Sequence, residues 1–156
     1  METLQIDKSK AFELYRNADK SGKELLESLL NGQLKLQAIT DRVKTFEDAC
    51  EVLGLDPRSA IPSFTNHPDS KALEASAKLF IIIRALNEEW IPDWNNDDEY
   101  KWYLWFYHDE PGFRLNAADN FYTFSAAGSR LCFRSRELAE YAAKQFFDLY
   151  KDLFVL

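Results

Sequence analysis

Residues 100–107 read Tyr-Lys-Trp-Tyr-Leu-Trp-Phe-Tyr, and this stretch decides the fold class. Six of its eight residues are aromatic, which is typical of strands rather than helices. Successive side chains of a strand point to opposite faces of a sheet. The two faces of the predicted strand are then lined by Trp102, Leu104 and Phe106, and by Tyr103, Trp105 and Tyr107.

A long helix is predicted before this strand, over Ser70 to Glu89 with Asp69 as its N-cap. Its C-terminal half is apolar on almost every side, which indicates a helix buried on every side. Lys101 is the only charged residue of 100–107. We therefore expect the strand face without Lys101 to pack on Leu79–Ile83 of this helix.

Two helical regions are predicted nearer the N-terminus. Residues 8–30 carry apolar stripes at helical spacing, with a break or a cap at Ser21-Gly22. A short helix is predicted from Thr45 to Gly54. The Thr45 hydroxyl can accept a backbone N–H of the first turn, and Gly54 favours a stop.

The remaining elements follow a predicted turn at Pro111-Gly112. They are short strands at Phe113–Leu115, Phe121–Phe124 and Arg130–Arg134, and a last helix that begins after Ser135. Runs of helices followed by runs of strands favour an α+β protein. We expect a helical N-terminal half packed on a small antiparallel three- to four-stranded sheet, with a C-terminal helix. We expect one domain over 1–156, mainly helical in 1–90, with the sheet and the last helix in 91–156.

Length and composition exclude several classes of protein. The 156 residues are 46% hydrophobic and 29% charged, the balance of an ordinary soluble domain. The longest strongly apolar run has five residues, whereas a membrane span needs about 20. No signal peptide is visible, and a secreted disulfide scaffold would carry more than two cysteines. We therefore expect a cytoplasmic protein with reduced thiols and no membrane association.

The negative charge is concentrated in the middle of the chain. The whole chain carries −7, and residues 45–100 alone carry −8. Binding to a phosphate backbone needs clustered Lys and Arg, and no basic stripe is present. The sequence therefore argues against direct binding to nucleic acid.

Residues 88–99, which we call the acidic loop, hold six acids and no base. Within it, Asp93, Asn95, Asp97 and Glu99 alternate in the way that begins a calcium loop. The calcium pattern then fails, because Asp98 stands where the loop needs Gly and Leu104 where it needs Glu. These four residues are candidate metal ligands, and the alternative is a solvated loop with local turn hydrogen bonds.

Aromatic residues follow the acids directly, and residues 90–107 contain eight of them, including every Trp of the chain. If the strand covers the helix with one face, the other face needs a second cover or is an exposed aromatic surface. Such a surface binds proteins, and its candidate partner-binding residues are Trp94, Tyr103, Trp105 and Tyr107. The alternative is a sheet buried on both faces.

Four stretches carry a resemblance to a known family. They are Ala18–Leu26, Thr40–Cys50, Gly128–Tyr141 and the Trp90-x-Pro-x-Trp94 pattern. Together they resemble an uncharacterised family of phage and prophage proteins from Bacteroides-type gut bacteria. The resemblance covers most of the chain and implies a mobile-element context and an intracellular setting. It implies nothing about a reaction, and no cofactor or catalytic residue can be carried over from it.

The function predicted from the sequence is that of a non-enzymatic, phage-type accessory protein. It binds another protein, or a second copy of itself, through the aromatic-acidic segment of residues 90–107. No Gly-rich phosphate loop and no hydrolase motif is present, so no cofactor is predicted. The alternative is a small ligand-binding module or an enzyme whose pocket, with or without a divalent ion, lies under the same segment.

Overall fold

The computed structural model describes residues 7–30 and 38–156. The chain divides into two compact units, residues 1–37 and 38–156. The prediction of one domain over 1–156 is not tested by this division and stays a prediction.

The described residues of the first unit, 7–30, form two helices, α1 (Lys8–Asn17) and α2 (Lys20–Leu29). The chain breaks before Asp19 rather than at Ser21-Gly22, the position predicted from the sequence. The Asp19 carboxylate accepts the backbone N–H of Gly22 at 2.8 Å, so the Ser-Gly pair lies inside the first turn of α2. An Asp N-cap therefore determines where α2 begins.

The second unit contains five helices and one β-hairpin. Its elements are α3 (Ile39–Arg42), α4 (Phe46–Leu53), α5 (Ser70–Leu86), β1 (Lys101–Tyr107), β2 (Arg114–Phe121), α6 (Arg136–Gln145) and α7 (Phe147–Phe154). The described residues thus form an α+β protein with seven helices and a two-stranded antiparallel sheet, and the predicted α+β class is confirmed.

Helix α4 begins and ends at the residues that the sequence indicates. The Thr45 hydroxyl accepts the Asp48 N–H at 3.1 Å, and the Asp48 carboxylate accepts the Thr45 N–H at 2.9 Å. These two bonds form a complete capping box. Gly54 ends the helix with φ +68°, a conformation that is strained for residues with a Cβ.

Helix α5 forms the centre of the core, as its apolar composition predicts. It packs against α3, α4 and α7, and most of its C-terminal half is buried. The helix ends at Leu86, three residues earlier than expected, and Asp69 makes no capping hydrogen bond. The cap prediction is wrong at Asp69, because its backbone (φ −98°, ψ 23°) lies outside the extended region typical of capping residues.

Strands β1 and β2 form an antiparallel hairpin, with Lys101 opposite Phe121 and Tyr107 opposite Arg114. The register shifts between Trp105 and Phe106, where Asn116 of β2 is left as an extra residue. We call the face of Trp102, Leu104 and Phe106 the inner face. All three side chains pack against the buried cluster that includes Leu79, Ile81, Ile82 and Ile83.

The strand predicted at Phe113–Leu115 overlaps the start of β2, but of the strand predicted at Phe121–Phe124 only Phe121 belongs to β2, which ends there. The central residues of β2 read Asn-Ala-Ala-Asp-Asn, a composition that strands disfavour. Pairing with the aromatic β1 holds these residues extended. The composition of β2 alone does not indicate that pairing.

The strand predicted at Arg130–Arg134 is reduced to a single bridge. Phe133 exchanges two backbone hydrogen bonds with Trp102, at 2.9 and 2.7 Å. The buried Asn87 side chain pairs with the other edge of this segment, donating to the Cys132 carbonyl at 2.8 Å and accepting the Arg134 N–H at 3.0 Å. In the part of the chain that the structure describes, the sheet therefore has two strands, not three or four.

The helix predicted after Ser135 is interrupted. Ser135 caps α6 through its hydroxyl, as expected, but Phe146 leaves the helical conformation and separates α6 from α7. Its ring is buried in the core, so the apolar pattern continues through Phe146 and does not indicate that the helix is interrupted there. Across residues 7–30 and 38–156, no helix has the length and apolar character needed to cross a membrane.

Candidate functional site

Lys101 is the least expected feature of the aromatic-acidic segment, because its side chain has no exposed surface. The alternation of strand residues put this charge on a solvent face, and that expectation is wrong. The Lys101 ammonium donates to the carbonyls of Asn96 and Glu99, each at 2.9 Å. It also pairs with the Glu99 carboxylate at 3.3 Å. The acidic loop thus covers the first residue of β1.

Glu99 connects the acidic loop to this lysine. One carboxylate oxygen accepts the backbone N–H of Asp93 at 2.8 Å, and the other accepts the indole N–H of Trp90 at 3.2 Å. The Trp94 ring lies 5.7 Å from the Lys101 ammonium, and its N–H donates to the Ser129 hydroxyl at 2.8 Å. Charge-assisted bonds of this kind are stronger than neutral ones, so the ammonium organises the loop.

The four candidate metal ligands have other partners or point to solvent. Asp93 accepts the Asn95 N–H at 2.9 Å in a local turn, Asp97 is exposed, and Glu99 faces Lys101. No group of three or more His, Cys, Asp or Glu side chains suited to a metal ion is found within residues 7–30 and 38–156. The positive charge inside this loop is a lysine, and the metal site stays a prediction.

The outer face of the hairpin is the face of Tyr103, Trp105 and Tyr107, with Asp119 and Phe121 opposite on β2. Tyr103 stacks on Phe121, with ring centroids 4.0 Å apart and planes within 8°. The Trp105 indole N–H donates to the Tyr103 hydroxyl at 3.0 Å. Burial raises the pKa of Tyr103, and the nearby Asp119 carboxylate raises it further against that hydrogen bond. Tyr103 therefore stays a neutral hydrogen-bond partner.

Exposure divides the four candidate partner-binding residues into two pairs. Trp105 is 48% exposed and Tyr107 is 42% exposed, whereas Tyr103 is only 5% exposed. Trp94 is half-buried against Lys101. Trp105 and Tyr107 are therefore the accessible pair, and Tyr103 supports Trp105 from below.

Sequence reasoning missed Phe124, which extends the outer face beyond β2. Its ring lies 5.1 Å from that of Phe121 and is 68% exposed. The prediction placed Phe124 in a short strand of its own, so it was not assigned to this surface. An exposed aromatic residue in a sequence carries no mark of its exposure, and no local signal separates Phe124 from a core residue.

An arginine is already held at the end of the outer face. The Arg114 guanidinium lies 4.3 Å from the centre of the Tyr107 ring. It also pairs with the Asp109 carboxylate at 2.7 Å. An aromatic ring and a carboxylate thus share one guanidinium at the turn end of the hairpin.

The two thiols are poor nucleophiles where the structure places them. Burial raises the pKa of the Cys132 thiol to about 11, and burial also raises the pKa of Cys50. A reactive cysteine needs an exposed, electropositive environment that lowers its pKa. Neither thiol is therefore suited to catalysis.

Comparison with known families, with curated proteins and with solved structures finds no match for this chain. The family resemblance inferred from the sequence therefore stays a prediction, and the candidate site is interpreted from its own geometry.

Proposed function

We propose that this protein binds another protein through the outer face of the hairpin, with Trp105 and Tyr107 as the main contacts. The observation that carries the proposal is the contrast between the two faces of one strand. The inner face packs into the core, while Trp105 and Tyr107 stand nearly half exposed on the outer face. Tryptophan and tyrosine are enriched among the residues that dominate binding energy at interfaces.

The outer face is also rigid, which favours binding. Trp105 is fixed by its hydrogen bond to Tyr103, and Tyr103 is fixed by its stack on Phe121. Side chains that are ordered before binding lose little conformational entropy when a partner arrives. Two exposed aromatic rings on an ordered hairpin are therefore suited to protein recognition.

The geometry under the acidic loop supports this proposal over the alternative of a pocket. A binding pocket needs polar side chains that converge on a cavity. Here the Glu99 carboxylate and two loop carbonyls converge on the Lys101 ammonium. The polar groups that could hold a ligand are thus used by the protein itself.

The role we propose is that of an accessory protein of a phage or mobile element. The support for this context is the resemblance of four stretches of the sequence, and the support for binding is the outer face. A second copy of the chain is one possible partner of this surface.

Peptide selection followed by direct affinity measurement tests the proposal. Binders from a random peptide library are selected on the folded protein, and their affinities are measured on the wild type and on Trp105→Ala and Tyr107→Ala. We expect each variant to lose at least about tenfold in affinity, as for central interface aromatics. Leu55→Ala, which truncates an exposed leucine after α4, is the matched control and keeps full affinity.

Two outcomes decide the question. Peptides that bind both aromatic variants as tightly as the wild type would overturn the proposal. Circular dichroism of each variant shows that a loss of binding is not a loss of folding. Sedimentation of the free protein distinguishes the partners, because a second copy predicts a dimer that Trp105→Ala dissociates.

A further inference from the structure

The edge of β1 that faces away from β2 has no backbone hydrogen-bond partner beyond Trp102 in the described part of the chain. Both backbone polar groups of Trp102 bond to Phe133, so they point to this edge. Alternate residues of a strand direct their N–H and C=O groups to the same edge. The backbone N–H and C=O groups of Leu104 and Phe106 therefore point to this edge too. Neither residue makes a backbone hydrogen bond outside the β1–β2 ladder in the described part of the chain.

The opposite edge of the hairpin, on β2, is protected against the addition of another strand, whereas the edge of β1 is not. On β2, the Asp119 carboxylate accepts the Asn120 N–H at 2.8 Å, and Asn116 interrupts the ladder as a bulge. Side-chain caps and bulges are devices that prevent strand addition at a sheet edge. From Trp102 to Tyr107, β1 carries no charge and no proline that would do the same.

Exposed carboxylates lie at both ends of this edge. Asp97 and Asp98 belong to the acidic loop before β1, and Asp109 and Glu110 follow its last residue. Asp119 adds another on the outer face. Of these five, only Asp109 forms an ion pair with a Lys or Arg of the described residues. The charge at the edge is therefore complementary to a basic segment.

The protein already binds its own cations in the same way. Arg114 is held by the Tyr107 ring and the Asp109 carboxylate, and Lys101 by the Trp94 ring and the Glu99 carboxylate. Trp105, in contrast, has an exposed ring and no cation on it among the described contacts. A guanidinium from a partner fits this position.

We propose that a basic, extended segment of a partner protein adds to β1 as a third strand, pairing with the backbone of Leu104 and Phe106. This inference rests on the proposed function and specifies the partner. Main-chain hydrogen bonds supply affinity in strand addition, and alternate side chains supply specificity. Every second side chain of the added strand would lie on the outer face beside Trp105, where an arginine can stack.

Synthetic peptides test both parts of the inference on the full chain. The probe is a peptide of alternating arginine and threonine, and a peptide with glutamate in place of arginine is its charge control. Two further analogues carry N-methyl groups on the arginine backbone nitrogens or on the threonine backbone nitrogens. Binding is followed by fluorescence anisotropy, and amide exchange of Leu104 and Phe106 is followed by NMR.

The arginine peptide should bind at least about tenfold more tightly than the glutamate peptide, and Trp105→Ala should reduce that difference without removing it, because the carboxylates remain. One N-methylated analogue should lose at least about tenfold in affinity while the other binds normally, because only one edge of an added strand meets β1. The amides of Leu104 and Phe106 should exchange more slowly in the complex.

The contradictory results separate this inference from the proposed function. Equal binding of both methylated analogues, without added protection of Leu104 and Phe106, would overturn strand addition. Equal binding of the arginine and glutamate peptides would overturn the basic partner. In either case, selected peptides that still require Trp105 would leave the outer face as the binding surface.

Discussion

Lys101 shows how one residue can change the interpretation of a whole segment. A lysine in a strand is expected on the solvent side, and a run of acids beside it resembles a metal loop. The structure brings the two together, because the Lys101 ammonium donates to two carbonyls of the loop and pairs with Glu99. One of the acids next to the strand, Glu99, thus compensates a buried positive charge.

Removal of this charge should destabilise the protein strongly. Lys101→Met leaves the Glu99 carboxylate and two carbonyls without their donor, and we expect a loss of about 2–4 kcal/mol, since Glu99 keeps some access to water. Lys71→Met is the matched control, because Lys71 is 79% exposed and pairs with Asp152. That control should lose far less stability. Urea denaturation compares the two, and equal losses would show that Lys101 does not organise the loop.

Calcium should not stabilise the acidic loop. Glu99 is paired with Lys101, and Asp93 is used in a local turn, so the alternating residues do not form an empty cage. We expect the melting temperature to stay unchanged when calcium is added at about 5 mM, because a ligand raises it only by binding the folded state. A rise that Asp97→Asn abolishes would instead establish the metal site.

At the scale of single elements, helix α4 offers the simplest test. Thr45→Ala removes the hydroxyl that accepts the Asp48 N–H, and we expect a loss of about 1 kcal/mol. Thr123→Ala, an exposed threonine between β2 and α6, is the control and should change little. The midpoint of chemical denaturation is the measurement. An unchanged midpoint in Thr45→Ala would mean that the cap does not stabilise α4.

The sequence predicts an element well when its boundaries lie within the element itself. Thr45 and Gly54 bound α4 through bonds to residues three or four positions away, and the aromatic composition of β1 indicates a strand directly. Predictions failed where a distant residue decides the outcome. The Asn87 side chain takes the place of a strand partner for residues 132–134, which follow Asn87 in the chain by 45 positions or more.

The candidate site was predictable to the same extent. Alternation along β1 was sufficient to separate an inner face from an outer face. It could not show that the acidic loop buries Lys101 and that the Phe121 ring stacks on Tyr103, which leaves Trp105 and Tyr107 as the exposed residues of this face. Burial by a loop depends on tertiary contacts that have no periodicity in the sequence.

At the scale of the whole molecule, the two thiols report the integrity of residues 38–156. Cys50 and Cys132 are both buried, and burial raises the pKa of Cys132 to about 11. At pH 8 only about 0.1% of that thiol is then ionised. Iodoacetamide should leave both thiols unmodified in the folded protein and alkylate both in urea. Ser59→Cys supplies an exposed control thiol, and rapid alkylation of either native cysteine would contradict the buried arrangement.

The central claim is that the inner face of β1 packs on the core, whereas Trp105 and Tyr107 of the outer face are available for binding. Equilibrium unfolding of Trp102→Ala and Trp105→Ala tests it most directly, because the two residues differ mainly in the face that they occupy. The account predicts a loss of about 3 kcal/mol or more for Trp102→Ala, a core truncation, and about 1 kcal/mol for Trp105→Ala. Equal losses in the two variants would show that the strand is buried on both faces, and would contradict the proposed binding surface.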